Sequence, residues 1–211
     1  MTYQPHNLAP SLADRPPSAL PRRTTEPTGR PPAAPRATAN RPPVPHTAEL
    51  AERYQLIQHL DLPTGADEVF DDFARSMTEA TGFLYGFVNL FLEQQTFIGL
   101  HQPPPDSGFV IVGRTMSLDH GWCPEVVARK KALPLPDVHA SPRFSGNHVV
   151  DAVGIRSYFG APLIHSSGTT LGTVCVIDPE KRSLADARRL RDIVIDTGSQ
   201  VMRHITRARP L

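Results

Sequence analysis

From residue 47 onward, apolar and polar positions alternate with two clear periods. Leu50, Tyr54, Ile57 and Leu60 recur at three- and four-residue spacing, which predicts a helix over 47–60 that Pro63 ends. Thr64-Gly65-Ala66-Asp67 has the form of a capping box. Val69, Phe70, Phe73, Ala74, Met77 and Ala80 then predict a second helix, stopped by Gly82. The aromatic and β-branched content of 83–91 predicts a strand, and Thr96 to Leu100 a second one after the Glu93-Gln94-Gln95 turn. Residues 101–108, with Pro103-Pro104-Pro105 and Gly108, read as a loop, and Phe109 to Val112 as a further strand. Pro124 suits the first turn of a short helix over 124–131. Ala132 to Pro136 is a short extended piece that its prolines confine to an edge or an end.

The strongest pattern comes last. Tyr158 to Ile164 and Leu171 to Ile177 are almost wholly apolar and are joined through Ser166-Ser167-Gly168, so they predict a hairpin covered on both faces. Ser183 and Asp186 mark a helix start. The final helix, 184–206, places Leu184, Ala187, Leu190, Val194, Val201 and Ile205 on one stripe. Consecutive strands with helices at both ends predict an α+β fold, an antiparallel sheet with helices packed on it. Neither GxGxxG nor GxxxxGK[ST] occurs, so no phosphate loop supports nucleotide chemistry.

Composition divides the chain. Residues 1–46 hold 12 of the 23 prolines and, apart from Tyr3, no aromatic residue, which predicts a disordered, locally extended tail. The tail carries six arginines against two acids, a net +4, while residues 47–211 are net −3. A mildly acidic domain without a basic stripe argues against nucleic acid as its main partner, so none is expected. The remaining 165 residues suffice for one domain burying about 70% of its unfolded surface. The longest apolar run, Phe83 to Leu92, is broken by Gly86 and Asn89 and is too short to span a membrane. No signal-peptide pattern opens the chain, and Arg22-Arg23 lacks the apolar segment a twin-arginine signal needs, so the expected location is the cytoplasm. Two cysteines, far apart in the sequence, give neither a disulfide framework nor a zinc set.

Several blocks together resemble the GAF family of small-molecule sensor domains, over roughly residues 61–205. They are the Val69–Gly82 helix, the Leu84–Phe91 strand, Gly121-Trp122-Cys123, Pro136-Asp137 with Pro142-Arg143-Phe144 and Asn147, Gly154 to Leu163, and Leu171 to Asp178. The resemblance implies a central antiparallel sheet of about five or six strands flanked by helices, with the N- and C-terminal helices packed together. Family members bind cyclic nucleotides, tetrapyrroles, haem or small metabolites, and many dimerise. Val149-Val150-Asp151 offers no cysteine for a covalent bilin, and the polar cluster of the cyclic-nucleotide members is absent, so the cofactor stays unknown.

The candidate ligand-binding residues are Trp122, Asp137, Arg143, Phe144, Val149, Ile155, Arg156 and Tyr158. Arg143 either meets an anionic ligand through its planar fork or pairs with Asp137 to pin the loop, and the ion pair is the plainer reading. Arg156 either caps loop carbonyls or faces the pocket. Phe144, Val149, Val150, Ile155 and Tyr158 line a cavity or fill the core. Trp122 needs a partner for its indole N–H if buried. Cys123 is a redox thiol or a small buried residue, and Cys175 reads as core. Histidines 101, 120, 139, 148 and 165 fall in loops, where a haem-ligand role has little support. The leading expectation is a non-enzymatic sensor that binds a small molecule or a partner protein and acts in trans, with a homodimer through the terminal helices. One alternative is an enzyme like the free methionine-(R)-sulfoxide reductases of this family, using Cys123. The other is a dimerising scaffold with a closed pocket.

Overall fold

The apolar runs find one another as antiparallel strands. In the computed structural model, which describes residues 47–207, β1 (Tyr85–Phe91) lies between β2 (Gln95–His101) and β6 (Thr170–Asp178). The predicted hairpin forms as β5 (Ser157–Ile164) with β6. The short strands β4 (Leu133–Leu135) and β3 (Thr115–Met116) close the two edges. The sheet order is β3-β2-β1-β6-β5-β4, antiparallel throughout. The proline-rich tail assigned to 1–46 lies outside the described residues. The central strands β1 and β6 are buried at every position, as unbroken apolar runs require.

Helices α1 (Thr47–His59), α2 (Glu68–Thr81) and α6 (Ala187–Arg207) share one apolar core over the first face of the sheet. Phe70 and Met77 of α2, Val194 and Ile205 of α6, and Ile57 of α1 meet Val88, Ile98, Phe159 and Val176 there. Asp67, not Thr64, caps α2. Its extended backbone and short carboxylate accept the N–H groups of Val69 and Phe70 at 2.9 and 3.3 Å, so the helix opens after it. Gly82 stops α2 in the left-handed conformation, φ 70°.

Four stripe positions differ from the pattern, Ala80 among them, since it is exposed at the end of α2. Leu184 is 84% exposed because α6 begins only at Ala187, so helical spacing does not govern it. Val69 and Tyr54 are also exposed. In α1 the inward place beside Ile57 belongs to Arg53, which is wholly buried. Its Nε donates to the Thr170 carbonyl at 2.5 Å and its Nη1 to that of Phe91 at 3.4 Å, both at strand ends. Burial pushes its pKa down, with Glu49 and Glu52 opposing.

The second face is covered by α3 (Cys123–Arg129) and by residues 137–156. That segment is more structured than a loop. It contains a 3₁₀ turn at Val138–Ala140, then α4 (Pro142–Ser145) and α5 (His148–Val153). Phe109 to Val112 forms no strand. The Gln102 side chain takes both polar groups of the Val112 backbone, at 2.8 and 3.3 Å, in place of a ladder, and the edge strand forms later, at β3. Among the described residues, no helix is long and apolar enough to cross a membrane.

Candidate functional site

Between the sheet and this second cover lies a cavity of about 550 Å³. Its floor is made of strand residues: Phe87, Phe97, Tyr158, Cys175 and Ile177. The walls are Trp122 and Cys123 at the start of α3, Val149, Ala152 and Val153 on α5, and the stretch from Val110 to Ser117 except Arg114. Most of the lining is apolar, as small-molecule sites usually are. His120 and His148 add polar ring nitrogens, and their ring centroids are 4.9 Å apart. Among the described residues, no three His, Cys, Asp or Glu side chains gather as a metal set would need.

Local sequence explains how these groups are held. Tyr158 and Gly160 share one face of β5 by the two-residue period. A Cβ at Gly160 would lie 2.0 Å from the Tyr158 hydroxyl, so glycine is what lets the phenol fold over the strand. The Trp122 ring stands 5.2 Å from the Tyr158 ring, and its indole N–H donates to the Phe144 carbonyl at 3.2 Å. Asn147 fastens the cover twice. Its Oδ1 accepts the Val149 N–H at 3.1 Å, capping α5. It also accepts the Gly121 N–H at 3.2 Å, while Nδ2 donates to the Gly121 carbonyl at 2.8 Å.

The two cysteines, 52 residues apart, meet where the wall joins the floor. Both are free and buried, with sulfurs 3.6 Å apart. The Tyr158 hydroxyl lies 3.4 Å from the Cys123 sulfur. The hydrogen bond from Cys175 draws the Cys123 pKa down, against burial, and Thr173, Tyr158 and Asn89 add to it. The same contact and burial push Cys175 well above an ordinary thiol. Cys175 is core, as expected, and is also the partner of Cys123.

The eight candidate residues separate into two groups. Trp122, Val149 and Tyr158 line the cavity. Asp137, Arg143, Phe144, Ile155 and Arg156 do not. The expected Arg143–Asp137 pair is replaced by two others. Arg143 reaches Glu125 on α3 at 2.7 Å, and Asp137 receives Arg156 at 3.2 Å. Asp137 also caps the 3₁₀ turn by accepting the His139 N–H at 3.0 Å. Phe144 gives its carbonyl to Trp122 and lies under the Arg143 guanidinium at 5.3 Å. Ile155 is fully buried in the apolar cluster of this face.

Phe87, Phe97, Cys175, Ile177, His120 and His148 were not singled out for the site. For Phe87, Cys175 and Ile177 a signal existed: once β1, β5 and β6 are paired, alternation puts them on the face of Tyr158. The histidine pair had none, because its members lie 28 positions apart, across turns, short helices and the strand β4. His101, expected in a loop, ends β2, and His148 opens α5.

The GAF domain model matches residues 65–201. A cyclic di-GMP phosphodiesterase of Pseudomonas aeruginosa is 30% identical over 149 residues, which is 67% of this chain and 23% of that enzyme. The chain thus spans about a quarter of that relative's length. The GAF domain of an Acinetobacter phosphoenolpyruvate-protein phosphotransferase superposes with a TM-score of 0.52 at 13% identity, covering 76% of this chain and 94% of that one. The free methionine-R-sulfoxide reductase of Neisseria meningitidis, in complex with its substrate, gives 0.50 at 16% identity, covering 74% and 89%. At these identities the two structures share the fold alone.

Proposed function

The chain belongs to the GAF domain family, and we propose that it is a non-enzymatic cytoplasmic sensor taking a small, largely apolar molecule into the cavity over β1, β5 and β6. The cavity itself carries this reading. Its volume of about 550 Å³ falls in the range of small-molecule sites, with aromatic walls at Trp122 and Tyr158 suited to a flat ring. The imidazoles of His120 and His148 can meet one polar group of the ligand. Binding acts on the cover, because Trp122 and Val149 belong both to the wall and to segments tied by Asn147. The signal then leaves in trans, to a partner protein or a second copy meeting α1 and α6. The phosphodiesterase relative supports a place in cyclic di-GMP signalling.

The test is to purify the chain from its native host, denature it, and identify what is released by mass and absorbance. The expected result is a small molecule at about one per chain, lost when Val149→Trp or Ala152→Trp fills the cavity. If nothing is released and no compound of a metabolite panel raises the melting temperature, the sensor reading fails and the scaffold reading gains. A second reading, a free methionine sulfoxide reductase, is favoured by one observation: Cys123 stands on the cavity wall with a second thiol in contact. Turnover of free methionine-(R)-sulfoxide with a dithiol reductant, abolished by Cys123→Ser, would establish it.

A further inference from the structure

The thiol pair has chemistry of its own, whichever ligand the cavity takes. Cys123 comes from the start of α3 and Cys175 from the middle of β6, so two independent elements converge on one sulfur contact of 3.6 Å. A disulfide needs the sulfurs at about 2.05 Å, so closing the gap takes a shift of roughly 1.5 Å. Both sulfurs belong to residues that line the cavity, yet Cys123 and Cys175 are only 4% and 3% exposed. That geometry bars a protein thiol or a bulky, charged disulfide such as glutathione. It admits a small uncharged oxidant entering through the cavity.

We propose that Cys123 and Cys175 form a redox site where the cavity wall joins the floor, oxidised to a disulfide by small hydroperoxides. The Cys123 thiolate attacks one oxygen of the hydroperoxide and breaks the O–O bond. This leaves a sulfenic acid on Cys123, and the released alkoxide takes a proton to become the alcohol. Cys175 then loses its thiol proton and attacks the Cys123 sulfur, and the departing hydroxide leaves as water. In sum, two thiols give up two electrons and two protons, and one hydroperoxide becomes one alcohol and one water. Cys123 is the attacking sulfur because Tyr158 and Cys175 both reach it by hydrogen bond, whereas Cys175 has Cys123 alone. The new bond draws Cys123 away from the Tyr158 hydroxyl, so oxidation reshapes the wall that a ligand meets. A small dithiol restores the pair.

The experiment uses the full chain, reduced, desalted and exposed to stoichiometric hydrogen peroxide, then denatured, alkylated and weighed intact. The expected product loses both alkylation sites together and is lighter by about 2 Da, two hydrogens, with both effects reversed by dithiothreitol. In Cys175→Ser, dimedone should trap a sulfenic acid at Cys123. In Cys123→Ser, oxidation of Cys175 should slow by at least about tenfold. Two free thiols in the unaltered chain after prolonged exposure to excess peroxide would overturn the proposal, and this measurement needs no variant to fold. Oxidation of the pair by free methionine-(R)-sulfoxide with hydroperoxide inert would also overturn it, in favour of the reductase reading. Failure of the cavity to bind any metabolite would leave the redox result unchanged.

Discussion

Asp178 closes the strand β6 with a carboxylate that is 4% exposed, and removing it should loosen the cover of the cavity as well as the sheet. Its Oδ2 accepts the Leu84 N–H at 3.0 Å and the Arg182 guanidinium at 2.9 Å, and its Oδ1 accepts the Glu180 N–H at 2.8 Å. The Asp178 carbonyl accepts the Arg156 N–H at 2.8 Å, and the Arg182 N–H donates to the Pro136 carbonyl at 2.7 Å. One knot therefore joins the start of β1, the end of β6 and both ends of the 137–156 cover. In Asp178→Ala the half-buried Leu84 N–H loses its partner, which costs about 1–3 kcal/mol. The Glu180 N–H is near water and adds a fraction of that. Arg182 is 20% exposed, so its guanidinium can turn toward solvent and Glu180, and the lost ion pair is discounted to about 1 kcal/mol. The sum is about 3 kcal/mol, or a fall of roughly 6–12 °C in melting temperature for a domain of this size. Calorimetry and the urea midpoint of the full chain at neutral pH would measure it, with Arg182→Ala beside it. Arg182→Ala keeps the carboxylate and both backbone bonds, so it should cost only about 1–2 kcal/mol, including the stack of the guanidinium on Phe83 at 4.3 Å. A loss below about 1 kcal/mol for Asp178→Ala, or equal losses for the two variants, would refute the assignment of the knot to the carboxylate.

Gly160→Ala should expel the Tyr158 hydroxyl from its place beside Cys123, costing about 1–3 kcal/mol and shifting the near-ultraviolet signal of Trp122; an unchanged spectrum would contradict the contact. Asn147→Ala should cost about 1–2 kcal/mol by removing the α5 cap, and hydrogen exchange should quicken at residues 121–122 and 148–153 while β1 and β6 stay protected. Alkylation of Cys123 by a small uncharged reagent should rise with pH through about 7 and then level off, because the contact from Cys175 lowers its pKa and only the thiolate reacts. The groups facing it are Cys175, Tyr158, Thr173 and Asn89, with Glu125 acting on Tyr158 and His120 and His148 along the cavity. Cys175→Ala should move that inflection upward, and an inflection unmoved by it would show that Cys175 does not set the pKa.

The parts of the fold that sequence made legible are those specified within a few residues of chain. The α2 stripe, the Gly82 stop and the apolar arms of β5 and β6 each follow from local spacing and backbone chemistry. What escaped was decided by contacts far along the chain. Arg53 sits among apolar neighbours because two carbonyls, at Phe91 and Thr170, need a donor where strands end. Phe109 to Val112 has strand composition, yet a glutamine side chain takes the backbone bonds a strand would use. The Cys123–Cys175 contact depends on α3 landing over β6, which no spacing in the sequence specifies.

The same distinction explains why the fold was readable and the lining of the cavity was not. The polar residues that carry the family resemblance turn their chemistry on the cover itself. Asp137 and Arg156 pair, Arg143 holds Glu125, Asn147 staples Gly121, and Asp178 binds Arg182. None of these polar side chains lines the cavity. In the proposed sensor, selectivity would rest instead with side chains outside those polar ties: Val149, Ala152, Val153, His148 and His120, and the apolar stretch Val110 to Val112. These positions follow no fixed spacing, since each lies on a turn or short helix whose placement the ties decide. Substituting the ties should therefore change stability and the mobility of the cover, whereas substituting the wall should change which molecule is held at nearly constant stability. A ligand profile that moved with Arg143→Ala but not with His148→Ala would reverse that division of labour.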